Sequence, residues 1–136
     1  ICKFVNLLKQ QKEKQMTKAE TDKQARAIMG STIGRDFQLI TFTSMLSNLV
    51  TVYIVSSGTN AIIPVSILVI GTLIFVLIAG LNQIDTFKAW LADMDEQEAN
   101  TNMGKLGKEA PFGIWKAAYS LTFIAIALGQ LYQMWL

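Results

Sequence analysis

The sequence predicts an all-α integral membrane protein with three transmembrane helices, an N-terminal cytoplasmic helix and a short amphipathic loop helix. Three observations carry this expectation. Charged residues make up 16% of the chain, where an average soluble domain has roughly a quarter. The charges are segregated, with none from Phe37 to Ile84 and none from Ala117 to Leu136. A hydrocarbon core ~30 Å thick takes about 20 helical residues to cross, so the first gap holds two crossings and the second holds one. The twelve basic residues also fall in two segments, eight in 1–36 and four in 82–116. The chain therefore divides into a basic, polar segment (1–36) and a three-span domain (37–136), with spans at about 37–56, 61–81 and 114–136 and a loop over 82–113.

The first segment opens on Ile1, which makes Met16 a second candidate start and leaves open whether residues 1–15 belong to the native product. They do not read as a signal peptide, because Ile1–Leu8 is a short apolar run that already carries Lys3. Cys2 is the chain's one cysteine; it has no internal partner and reads as a spare thiol, with lipidation or an intermolecular bridge as the alternatives. From Val5 to Met29 the composition, rich in Lys, Gln, Glu and Ala and free of Pro, is that of a soluble helix ending near Gly30-Ser31-Thr32.

The first span is moderately polar. Ser44, Ser47, Asn48 and Thr51 share one helical face, and polar groups in hydrocarbon turn toward protein or water. Ser and Thr can bond back to their own helix, whereas the Asn48 amide demands another helix. A short neutral connection, Ser57-Gly58-Thr59-Asn60, makes a tight hairpin with the second span, where Pro64 sits in the first turn and its missing amide hydrogen costs little. The second span is the most apolar stretch and reads as partly lipid-facing.

In the loop, Ile84, Phe87, Leu91 and Met94 recur at intervals of three and four, an apolar stripe suited to docking on a partner or on the base of the bundle. Asp93, Asp95, Glu96 and Glu98 lack the spacing of a calcium loop and read as a solvated acidic face. Gly104, Gly107 and Pro111 mark Ala99–Gly113 as a connecting loop. In the third span Ala118, Thr122, Ala125 and Gly129 form a small-residue stripe of the kind that lets helices approach closely. Trp115 and Tyr119 at one end, with Tyr132 and Trp135 at the other, supply interfacial anchors.

Both basic segments belong on one side of the membrane. The positive-inside rule places them, and the N-terminus, in the cytoplasm or an organelle's equivalent compartment, with the C-terminus opposite. The host is then a bacterial inner membrane or an organelle membrane.

The chain contains no histidine, which removes the usual haem ligand and the commonest zinc or copper ligand. No nucleophile–base arrangement or phosphate loop is present either. No catalytic residue, cofactor or metal is expected. A net charge of +2 without interleaved basic and aromatic residues argues against nucleic acid. The expected partners are other membrane subunits and lipid.

The best-supported function is therefore a non-catalytic subunit of a larger membrane complex of respiratory, photosynthetic or monooxygenase type. The layout of three spans with an inside N-terminus is similar to membrane anchors of the fumarate reductase type, in architecture only, since the haem-ligating histidines of many such anchors are missing. The alternative is a homo-oligomeric pore or filament component, holin-like or from a secretion apparatus, with the polar face of the first span lining a lumen. A small transporter is the weakest reading, because the spans hold no membrane-embedded charge, Lys116 lying at the membrane edge.

Overall fold

The structure is a computed structural model that describes residues 2–136, with side chains from residue 5 onward; the Cys2 thiol lies outside the described side chains. Five helices follow one another: α1 (Cys2–Ser56), α2 (Ile62–Ala92), α3 (Glu96–Ala99), α4 (Asn102–Lys108) and α5 (Phe112–Trp135). No strand occurs among the described residues. Three of the helices, α1, α2 and α5, are long and apolar enough to cross a membrane.

The chain forms two compact units, residues 1–32 and 33–136. The first is a helix whose side chains from Val5 to Ala25 are exposed. Two of its threonines are satisfied locally, with the Thr17 and Thr21 hydroxyls donating to the carbonyls of Glu13 and Thr17 at 2.8 and 2.9 Å.

Helix boundaries differ from the sequence expectation at two places. Helix α1 does not stop at Gly30-Ser31-Thr32 but runs on to Ser56. A single glycine costs a helix only about 1 kcal/mol, and Ser31 donates to the Ile28 carbonyl at 3.0 Å, so its side chain does not compete with the helix for partners. Likewise α2 continues through 82–92, so Ile84, Phe87 and Leu91 lie on a direct extension of the second apolar stretch and not on a separate loop helix. At 1.5 Å per residue α2 is ~46 Å long, more than a ~30 Å hydrocarbon core requires.

The segment 99–113 holds ordered turns of helix that the sequence reading leaves as loop. Asp95 accepts from the Glu98 amide at 2.7 Å and Thr101 accepts from the Gly104 amide at 3.0 Å, so each short helix has a side-chain N-cap.

Between α1 and α2 the chain reverses at Gly58, whose φ of +75° is the one left-handed backbone among the described residues. The hydroxyls of Ser56 and Ser57 donate to the Tyr53 carbonyl, covering a backbone acceptor at the helix end.

Within residues 33–136, contacts define how the three long helices run. The same sequence separation joins Phe37 to Tyr119, with ring centroids 5.5 Å apart, and Asn48 to Gln130, which are hydrogen-bonded. Helices α1 and α5 are therefore parallel and in register. Helix α2 runs antiparallel to α5: Trp135 donates from its indole nitrogen to Ser66 Oγ at 3.0 Å near one end, and Lys116 pairs with Asp85 at 2.5 Å near the other. The core between them holds Val65, Val69, Val76, Ile84, Phe123 and Ala127.

Gly80 is what allows α2 and α5 to meet closely. The Tyr119 ring lies over it, and an added methyl would collide with the tyrosine hydroxyl and ring carbons. That ring is held in place by Phe37 at 5.5 Å and Phe123 at 5.0 Å. Gly71, on the same helix, has nothing within 4 Å of such a methyl. Gly80→Ala is therefore expected to lower unfolding free energy in detergent by about 1–3 kcal/mol through overpacking, while Gly71→Ala leaves it unchanged or raises it slightly. Equal effects of the two substitutions would contradict this packing.

Candidate functional site

The polar face of α1 is the first place to look for function, and its inner residues are taken up inside the bundle. Ser44, Asn48 and Thr51 are buried. Asn48 donates from Nδ2 to the Ser44 carbonyl at 2.9 Å, and Thr51 donates to the Ser47 carbonyl at 2.8 Å. Ser47 meets Thr72 of α2, hydroxyl to hydroxyl, at 3.2 Å. Gln130 of α5 donates from Nε2 to the Asn48 carbonyl at 3.2 Å and to its side-chain oxygen at 3.4 Å.

Gln130, Thr72 and Ser66 are the interhelical partners that sequence reasoning missed. The signal available for Gln130 was an amide in an apolar stretch, where Gln133 is a second one, which announces a need for a partner without saying where the partner is.

Some capacity remains unused along this seam. The Ser44 hydroxyl and the Gln130 carbonyl oxygen are buried without a hydrogen-bond partner. Ser44 also lines an open cleft of about 400 Å³ between α1 and α2, whose other walls include Ser47, Gly71 and Thr72.

A second cavity of about 300 Å³ lies at the opposite end of α2. Its walls are mainly apolar, with Phe37, Phe87, Phe112, Trp115 and Tyr119 on the aromatic side and the Gln83 amide as a polar contribution. The rings contact one another in sequence, Phe87 to Phe112 at 6.2 Å and Phe112 to Trp115 at 5.2 Å. Such a lining can accept a flat or aliphatic apolar group, but it offers no base or nucleophile for chemistry.

The remaining sequence-predicted residues separate by exposure. Ile84 and Leu91 are buried, and Phe87 and Met94 are half-buried. Leu91 packs against Gly107 of α4, where an added methyl would come within 2.8 Å of it. Trp115, Tyr132 and Trp135 are exposed, whereas Tyr119 is half-buried and turned toward α1 and α2. All four members of the small-residue stripe, Ala118, Thr122, Ala125 and Gly129, face outward from the bundle. Among the described residues no three of His, Cys, Asp and Glu come together as a metal-binding group.

The seam across Asn48 and Gln130 makes a quantitative prediction. In a double-mutant cycle of Asn48→Ala and Gln130→Ala, the coupling energy measured by unfolding in bicelles should be about 0.6 kcal/mol and no more than about 1.7, the range of interhelical hydrogen bonds in membrane bundles. Strict additivity would mean that the two amides do not meet.

No known protein family, curated protein or solved structure matches the chain, so the geometry described above is what its function must be read from.

Proposed function

We propose that this chain is a non-catalytic subunit of a larger membrane complex, crossing the bilayer three times with segments 1–36 and 82–113 on the cytoplasmic side and acting through helix–helix contacts. The observation that carries the reading is the outward stripe of α5. Ala118, Thr122, Ala125 and Gly129 are exposed together, and nothing lies within 4 Å of where a Gly129 side chain would be. The Thr122 hydroxyl donates to the Ala118 carbonyl at 2.8 Å, so the face carries no unpaired polar group there and is smooth. Lipid tails are as apolar as leucine, so helices in a bilayer associate where small residues let backbones come close. Of the three long helices α5 also has the smallest share of its apolar stretch buried, 11% against 17% for α1 and 22% for α2.

The pore reading finds less support. Its lumen was to be lined by the polar face of α1, and Ser44, Asn48 and Thr51 of that face are closed off inside the single chain.

Extraction in mild detergent, followed by particle mass and identification of companions, tests the proposal. Several different polypeptides at fixed stoichiometry are expected with the native chain. Ala125→Leu and Gly129→Leu should strip those companions away while the chain remains inserted and folded. A large particle of this chain alone would reject the accessory-subunit reading in favour of a homo-oligomer.

A further inference from the structure

Helix α4 is built the wrong way round for water. Its two glycines face the protein: Gly104 is buried against the backbone of Glu98 and Ala99, and Gly107 sits against Leu91. Its two large apolar residues face away, with Met103 75% and Leu106 66% exposed. A helix docked in aqueous solution turns its bulky apolar residues inward and has no reason to prefer glycine there.

The angular arrangement says what the outward face meets. At about 100° per residue, Met103 and Leu106 form one arc, the glycines a second arc about 100° round from it, and Lys105 and Lys108 a third nearly opposite the first. With the glycine arc pressed sideways against the bundle, one free arc is apolar and the other cationic. That is the pattern of a helix lying in a membrane interface, apolar face down and lysines toward headgroups and water. The surface is also continuous with the apolar helix that follows: α5 begins at Phe112, a short step beyond Lys108, and presents Ile114 and Trp115 as exposed apolar residues at that same end.

We infer that α4 is an interfacial anchor whose Met103 and Leu106 side chains insert into the lipid surface beside the bundle. Being held by α2 and α3, so short a helix needs little membrane affinity of its own. The inference rests on the three-span reading but does not depend on which side the 82–113 segment occupies.

The test uses the full chain with Cys2→Ser as background, spin-labelled at Met103→Cys, Leu106→Cys, Lys105→Cys or Ile74→Cys, the last on an exposed position midway along α2. The variants are reconstituted into phosphatidylcholine vesicles containing phosphatidylglycerol. Labels at 103 and 106 should collide with oxygen several-fold more than with a water-soluble nickel chelate, and the label at 105 should show the reverse preference. The label at 74 reports on the spans themselves; if it reads water, the three-span reading fails and takes this inference with it. A lipid signal at 74 with water at 103 and 106, or with labels there shielded from both reagents as in a protein contact, overturns the inference alone.

Discussion

The amide of Gln130 reaches from α5 to Asn48 on α1, and the arrangement of the long helices follows from that contact. Helix backbones satisfy their own hydrogen bonds, so in an apolar medium it is the side-chain amides that still need partners. One pair meeting at a fixed depth sets the register between α1 and α5, and the packing of Phe37 on Tyr119 repeats it three turns away with the same sequence separation. Helix α2 then has one way to lie. Ser47 takes Thr72, Trp135 takes Ser66, and Lys116 takes Asp85, each tying α2 to a neighbour at a different height.

At the end where Lys116 and Asp85 pair, closeness is set by shape more than by charge. The pair is exposed enough that an ion pair of this kind contributes about 1 kcal/mol or less. Tyr119 has the larger role: its ring fills the space that Gly80 leaves open and packs at a tilt between Phe37 and Phe123. The aromatic cavity beside it is walled by Phe37 and Tyr119 together with Phe87, Phe112 and Trp115.

The three apolar helices were legible in the sequence because charge is excluded from hydrocarbon, and a charge-free stretch has a length that can be counted. The inner face of α1 was legible too, since Ser44, Asn48 and Thr51 repeat with the helical period. What composition does not mark is where a helix ends. Gly30 and Asn82 sit at changes from polar to apolar or back, and the structure carries helix through both. A change of solvent along a helix breaks no backbone hydrogen bond, so the boundary of the apolar stretch and the boundary of the helix are separate quantities. Partner identity was hidden for a different reason. Gln130 and Gly80 matter through what lies opposite them, and that depends on tertiary register, which one sequence does not display.

Outward-facing residues differ in kind from one helix of this protein to the next. Helix α2 turns Ile63, Ile67, Ile74 and Ile78 outward, the ordinary face for lipid. Helix α5 puts Tyr119, Phe123 and Gln130 on its inner side and leaves Ala118, Thr122, Ala125 and Gly129 outside. The exposed side of α5 also carries Leu121 and Leu128, and its buried side Ala127. On α4 the glycines are inside and Met103 and Leu106 outside. Small residues facing out ask for another backbone at close range, and large apolar residues facing out ask for hydrocarbon. Both kinds of outward face occur on adjoining elements of this chain, a small-residue stripe on α5 and the Met103 and Leu106 pair on α4.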